Sequence, residues 1–146
     1  MKLNLDLKGE KLIGIYCKSD KYNFKYGHVP NNAPVNTGGD FICFITENKA
    51  FLMMHQDDCC EEVFLEDIVG YPEFMCPSDI LYAEMRTNSD EEPHENVDPD
   101  GSYLWTYYSV DTTKGGLSIR WFGSSNGYYS ERVDLLCYDL INGEYE

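Results

Sequence analysis

The chain has 146 residues and a mass of 16.8 kDa, which fits a single domain spanning residues 1–146. Its 11 basic and 26 acidic residues give a net charge of −15 and a pI near 4.4. Nucleic acids and anionic membrane surfaces attract proteins of the opposite charge, so we expect neither as a direct partner. Nearly all of the net charge comes from residues 56–100, which contain fifteen acids and one arginine.

No apolar segment approaches the roughly 20 residues needed to cross a bilayer, and the first residues lack a signal-peptide core. We therefore expect a cytoplasmic protein. The cysteines are scattered through apolar segments, which favours small buried hydrophobic side chains in a reducing compartment. The six are Cys17, Cys43, Cys59, Cys60, Cys76 and Cys137.

In chain order, the sequence is a series of short β-strands separated by turn residues. Alternating apolar and β-branched side chains predict strands at residues 11–18, 41–46, 50–55, 63–69, 80–85, 104–112, 117–122 and 128–136. Residues 19–40 and an acidic loop at 87–102 are predicted to be irregular. Short helices are predicted only at residues 72–76 and 137–142.

Short connections between these strands favour antiparallel pairing. The sequence therefore predicts a mainly β fold (α+β with minor helix). We expect a single-domain antiparallel meander of about seven to eight strands with one or two short helices.

The segment Asn126-Gly127 predicts a β-hairpin, because Asn-Gly suits the two positive φ angles of a type I′ turn. A two-residue turn there places Trp121 opposite Arg132, with Arg120 beside them. Guanidinium groups among aromatic rings suit an anionic, planar ligand. The simpler alternative is that an Arg120–Glu131 ion pair and an Arg132–Trp121 cation–π contact only stabilise the hairpin.

The densest chemical cluster is residues 55–62, His-Gln-Asp-Asp-Cys-Cys-Glu-Glu. Its spacing is wrong for structural zinc, because the adjacent Cys59 and Cys60 point to opposite sides of an extended chain. We expect one buried cysteine here, with the acids on the opposite face. Neighbouring carboxylates would raise the pKa of either thiol, so no Cys/His enzyme is predicted.

The acidic loop matches the first half of an EF-hand calcium loop at residues 96–101, but its twelfth position is Tyr107 instead of a bidentate Glu. We predict no metal site, no cofactor and no catalytic residues.

Several blocks together resemble an uncharacterised bacteriophage accessory family, a domain of unknown function. The resemblance covers roughly residues 10–135, and its most specific elements are Asp-Cys-Cys-Glu at 58–61 and Arg-Trp-x-Gly…Asn-Gly-Tyr-Tyr-Ser at 120–130. It implies a phage or prophage gene acting in the bacterial host cytoplasm. Small phage proteins without catalytic motifs often counter bacterial defence, which makes an anti-defence role the expected context.

Two binding functions compete. In the first, the protein sequesters a small nucleotide-type signalling ligand, with arginines holding phosphate and rings stacking on a base. The candidate ligand-binding residues are Arg86, Arg120, Trp121, Asn126, Tyr128, Tyr129, Ser130 and Arg132.

In the second, an acidic surface mimics a nucleic-acid backbone and occupies the basic groove of a bacterial defence nuclease or another host protein. The candidate partner-binding residues are Asp57, Asp58, Glu61, Glu62, Asp90, Glu91, Glu92 and Glu95. Aromatic side chains expected to be exposed also predict a homo-oligomer, since symmetric dimers are the commonest assemblies.

Overall fold

The computed structural model describes residues 2–35, 38–94 and 97–146, with only the backbone described for residues 2–4. These residues form eleven antiparallel strands in one sheet. The strands are β1 (Lys2–Asn4), β2 (Lys11–Lys18), β3 (Asn23–Gly27), β4 (Phe41–Thr46), β5 (Lys49–Met54), β6 (Glu62–Val69), β7 (Ser78–Asn88), β8 (Ser102–Thr112), β9 (Gly115–Ser125), β10 (Asp134–Ile141) and β11 (Glu144–Tyr145).

The mainly β, antiparallel prediction is confirmed, whereas the predicted strand number of seven to eight is too low. Strands β1, β3 and β11 are not predicted. These segments are short or polar, so the local sequence does not indicate a strand, and each is held extended by pairing with a neighbouring strand. The strand order is β11-β10-β5-β4-β2-β7-β8-β9-β6, with β1 on β7 and β3 on β2. Pairs such as β5–β10 and β6–β9 join distant segments, so the sheet is not a simple meander.

Helix is nearly absent from the described residues. The segment predicted as helix at 72–76 contains only a single 3-10 turn, Pro72–Phe74. The helix predicted at 137–142 is wrong, because those residues continue β10 into a hairpin with β11. Asn142 and Gly143 form its turn with φ angles of 52° and 83°, the type I′ geometry expected of Asn-Gly. No helix of the described chain has the length and apolar character to span a bilayer.

The hairpin predicted at Asn126-Gly127 is also wrong. β9 ends at Ser125, and its two edges are already paired with β8 and β6. With no free edge on β9, the chain leaves the sheet and re-enters as β10 beside β5. Only Gly127 takes a positive φ here, 95°, and the Ser125 hydroxyl bonds within the turn instead.

The core lies between the two halves of the sheet, which pack face to face. Side chains from β2, β4 and β5 meet side chains from β6 to β9 in one apolar cluster. The indole N–H of Trp121 donates to the sulfur of Met53 across it at 3.2 Å, and the Tyr108 hydroxyl donates to the Val133 carbonyl at 2.7 Å. A second, smaller cluster around Phe41 and Leu52 covers the other face of β4 and β5.

The cysteine prediction holds in part. Cys17 and Cys43 are buried free thiols, and Cys137 is an exposed one. Neither Cys59 nor Cys60 is buried, contrary to expectation, and the two form a disulfide with each other. The reason is local: the chain at residues 57–61 is not extended, because its backbone turns around the Glu61 carboxylate.

Candidate functional site

A row of charged and aromatic side chains crosses four neighbouring strands. Backbone register places Arg86 of β7 opposite Tyr107 of β8, Tyr107 opposite Arg120 of β9, and Arg120 opposite Asp67 of β6. Residues at paired positions share one face of a sheet. This face points away from the core, because the adjacent residues Tyr108 and Trp121 point into it.

The two arginines lie over aromatic rings. The Arg86 guanidinium carbon is 4.0 Å from the centre of the Tyr107 ring, and that of Arg120 is 5.0 Å from the centre of the Trp105 ring. Both distances are typical of cation–π contacts. Arg120 also reaches Asp67, with 4.0 Å between Nη2 and Oδ2.

Neither guanidinium is saturated. The Arg120 Nε is buried and has no hydrogen-bond partner among the described residues. Of the ion pairs between described residues, none includes Arg86. Since a guanidinium offers five N–H donors, both side chains have donors left for an added acceptor.

These side chains line a groove of about 240 Å³, here called the outer groove. Its lining includes Asp67, Val69, Arg86, Tyr107, Ser109, Ser118 and Arg120. A second recess of about 380 Å³ shares Arg120 and extends to Glu66, Pro93, His94 and Trp105. Arg120 therefore stands between two adjoining spaces on the same face.

Tyr107 is held in its neutral form. Burial raises the pKa of Tyr107 to about 12, helped by its hydrogen bond to the Glu91 carboxylate and opposed by the two arginines. The hydroxyl donates to Glu91, so its proton is already committed. The Tyr107 hydroxyl is consequently not a free donor for a ligand.

The acidic loop packs against this face. It spans residues 89–101 between β7 and β8, narrower than the predicted 87–102, because the strands extend into it. The Tyr103 hydroxyl donates to the Glu91 carbonyl at 2.7 Å, and the Trp105 indole donates to the Glu92 carbonyl at 3.2 Å. The loop is therefore attached to the sheet at several points and is not simply solvated.

His94 anchors the loop in an aromatic cluster. Its ring lies 4.9 Å from Phe122, 5.3 Å from Phe64 and 5.5 Å from Trp105, measured between ring centres. Its Nε2 is 2.7 Å from the Glu66 carboxylate, which Lys21 also contacts at 3.2 Å. The sequence does not single out His94, Trp105 or Tyr107, because only strand register shows that they neighbour Arg120.

Of the predicted ligand-binding residues, the structure brings Arg86 and Arg120 together and places Arg132 elsewhere. Arg132 lines a different recess of about 450 Å³, here called the inner recess, whose walls are mostly apolar. There its Nε donates to Asp134 at 3.0 Å. Its guanidinium is therefore already matched by a carboxylate.

Trp121 is 1% exposed and packs in the core, so its ring cannot stack on a ligand as predicted. The reason is strand alternation: Trp121 follows Arg120 directly, and consecutive residues of a strand point to opposite faces. The predicted Arg132–Trp121 and Arg120–Glu131 contacts do not form either. Arg120 lies over Trp105, and the Glu131 carboxylate bonds the hydroxyls of Ser102 and Ser125.

The remaining predicted ligand-binding residues lie in the loop after β9, and none of them lines the outer groove. The Asn126 side chain accepts from the Tyr128 N–H at 3.0 Å, and the Ser130 hydroxyl accepts from the Arg132 N–H at 3.2 Å. The rings of Tyr128 and Tyr129 contact each other edge to face. These contacts shape the loop itself.

The strand order brings two acidic segments to the same end of the sheet. The segment 56–62 leads into β6, and the loop 89–101 leads from β7 to β8; register places both at the same end of the sheet. Of the predicted partner-binding residues, the side chain of Glu61 is fully buried and cannot meet a partner, and Glu95 lies outside the described residues. The others are exposed there: Asp57, Asp58, Glu62, Asp90, Glu91 and Glu92.

A comparison of the sequence with models of known protein families gives a match, which covers most of the chain. A model of the family Domain of unknown function (DUF7448) matches residues 13–135. The chain belongs to this family. No curated protein and no solved structure matches the sequence of this chain.

The DUF7448 match runs from β2 to the first residues of β10, so it includes all four strands of the outer groove. The predicted resemblance to a domain of unknown function is therefore confirmed. The phage origin and the diagnostic blocks stay predictions.

Proposed function

We propose that the protein binds a small phosphate-bearing ligand of nucleotide type in the outer groove, without chemical turnover. The observation that carries this proposal is the placement of Arg86 and Arg120 on either side of Tyr107, with the Arg120 Nε left without an acceptor. The Arg120 side chain is 41% exposed, so its terminal N–H groups can donate to a phosphate oxygen in the groove, and such charge-assisted hydrogen bonds are stronger than neutral ones.

The net charge of −15 is compatible with an anionic ligand. At physiological salt the Debye length is about 8 Å, so exposed acids beyond that distance are largely screened. Two guanidinium groups and the Asp67 carboxylate line the groove, and the Glu91 carboxylate accepts from the Tyr107 hydroxyl. The guanidinium donors are the groups that an anion would bind, and Asp67 and Glu91 are the carboxylates that compete with it.

The shape of the site favours a ligand with a flat part. The recess beside Arg120 is lined by the His94 and Trp105 rings, and the guanidinium lies over the Trp105 face. Phosphate held between the arginines would leave a base or a similar ring to occupy this recess. Holding such a ligand out of solution requires tight binding only, which suits the sequestration of a signalling nucleotide. The anti-defence context remains a prediction from the family resemblance.

The test compares arginine variants by isothermal titration calorimetry with AMP, ADP, adenosine and inorganic phosphate as probes. Arg86→Ala and Arg120→Ala should each weaken nucleotide binding by at least about tenfold, since a charge-assisted hydrogen bond contributes roughly 1.5–3 kcal/mol. Arg132→Ala is the matched control, because that arginine lies in the inner recess and should leave the affinity unchanged. Equal affinity in all three variants, or no binding of any probe, would overturn the proposal.

A second function is favoured by a separate observation, the convergence of both acidic segments at one end of the sheet. This acidic end offers exposed carboxylates from two loops and could occupy a basic groove of a nucleic-acid-binding protein. Neutralising Asp57, Asp58, Asp90 and Glu92 together should then abolish partner binding, whereas Arg120→Ala should leave it intact. Binding that is insensitive to salt, measured between low and high ionic strength, would count against mimicry.

A further inference from the structure

A second chemical site lies beyond the outer groove, in the segment that follows β5. We propose that His55, Asp57 and Glu61 bind a divalent transition-metal ion such as Zn²⁺. The His55 Nε2, an Asp57 oxygen and a Glu61 oxygen all lie within 4.8 Å of one another. The site uses neither the arginines nor the aromatic residues of the outer groove.

His55 is oriented as a metal-binding histidine would be. It follows the last residue of β5, is 8% exposed, and places its Nδ1 2.7 Å from the Arg132 carbonyl oxygen. A carbonyl oxygen only accepts, so Nδ1 carries a proton and donates it. Metal-ligating histidines characteristically use one ring N–H in this way, which fixes the ring and directs the other nitrogen at the ion. Here the other nitrogen, Nε2, faces the two carboxylates.

Glu61 is equally preorganised. Its side chain is inaccessible to solvent, and its carboxylate accepts the backbone N–H groups of Asp58 and Cys59. These bonds hold the Glu61 carboxylate in place, with its Oε1 beside the His55 Nε2.

The distances fit one ion. The His55 Nε2 and the Glu61 Oε1 are 2.9 Å apart. For an ion about 2.1 Å from each of these two atoms, the N–ion–O angle would be roughly a right angle, which two neighbouring ligands of one coordination sphere can adopt. Asp57 Oδ1 is 3.8 Å from Nε2, and the Asp57 side chain is 78% exposed, so it can approach the ion from the solvent side.

The donor set indicates the class of ion. One imidazole and two carboxylates suit zinc and similar first-row divalent ions, whereas calcium and magnesium prefer oxygen ligands alone. The neighbouring sulfurs of Cys59 and Cys60 are bonded to each other and are not free thiolate ligands. The proposed ligands are therefore nitrogen and oxygen atoms alone.

The test is calorimetric titration of the full-length, chelator-treated protein with zinc chloride, without reductant. We expect one Zn²⁺ per chain. Asp57→Asn should weaken binding at least about tenfold, and His55→Gln more, because each removes a direct ligand. Because His55 is buried, its replacement also challenges the fold; Asp57 is exposed, so its variant should remain folded by circular dichroism.

Two control variants test whether zinc binds at His55 or at another histidine or sulfur of the chain. His94→Gln removes a histidine in the aromatic cluster, and a Cys59→Ser/Cys60→Ser double variant removes both neighbouring sulfurs. Both should bind zinc as the unmodified chain does. The proposal is overturned if no zinc binds, if Asp57→Asn binds normally, or if either control loses the metal.

Discussion

The two faces of strands β7, β8 and β9 differ in what their alternate residues do. On the inner face, Trp121 and Tyr108 are sealed in the core with their polar atoms bonded to Met53 and Val133. On the outer face, Arg120 and Tyr107 are partly open and line a groove. Two residues adjacent in the chain thus serve opposite purposes: one stabilises the fold and the other is available to a ligand. Chemical type alone therefore does not identify a site.

The largest expected effect comes from the inner face. Trp121→Ala should lower the free energy of unfolding by about 3–5 kcal/mol, because it removes a large buried ring and leaves a cavity. Urea denaturation followed by circular dichroism measures this change. If the variant is as stable as the unmodified chain but has lost ligand affinity, Trp121 belongs to the ligand site, and the proposed difference between the two faces is wrong.

The next effect belongs to the outer face. Arg120→Lys keeps the charge but removes the planar fork and the Nε donor, so nucleotide affinity should fall by about tenfold. Stability should hardly change, because the side chain is partly exposed. Calorimetry and urea denaturation on the same preparation separate the two quantities; a large loss of stability with unchanged affinity would reverse the assignment.

A smaller effect tests whether water is excluded from the core around Cys43. Burial raises the pKa of Cys43 from 9.0 to about 12, so the folded chain holds this thiol proton more tightly than the unfolded chain does. Its contribution is fully present below pH 9 and is lost as pH rises through about 12.

Between pH 7 and pH 10, this thiol should account for about 1 kcal/mol of lost stability. Cys43→Ala should reduce that pH-dependent loss, whereas Cys137→Ala, at an exposed position, should change it less. Urea denaturation at the two pH values checks this, and an identical pH dependence in Cys43→Ala would show that the interior is open to water.

The smallest effect concerns the carboxylate in the outer groove. Asp67→Asn removes the charge 4.0 Å from Arg120 and should strengthen binding of an anionic ligand by a few-fold, in line with the 0–1 kcal/mol typical of exposed ion pairs. Calorimetry with the nucleotide that binds best in the arginine series measures it. Weaker binding in this variant would mean that Asp67 orients Arg120 and does not compete with the ligand.

Local sequence information predicts a good part of this molecule. Alternating apolar residues identify the central strands, since burying one face of a strand requires a period of two. Asn-Gly predicts a hairpin at residues 126–127, where none forms, whereas the same dipeptide at residues 142–143 forms a hairpin turn beside a predicted helix. The difference is that β9 has no free edge for a returning strand, which the local sequence does not reveal.

The candidate sites show the same limit. Composition singles out Arg86 and Arg120, yet their meeting at Tyr107 depends on the register of three strands. The predicted hairpin gives Trp121 the wrong neighbours and so the wrong face. Glu61 is predicted among the exposed acids, although backbone N–H groups and His55 enclose it.

By itself, the sequence determined that this chain forms antiparallel strands around an apolar core and carries its negative charge in one stretch of residues 56–100. These properties depend on composition and on the spacing of nearby residues. Only the tertiary structure decided which outward-facing residues share a groove and which carboxylates face His55. Pairing between segments far apart in the chain sets those neighbours, and it results from the packing of the whole sheet.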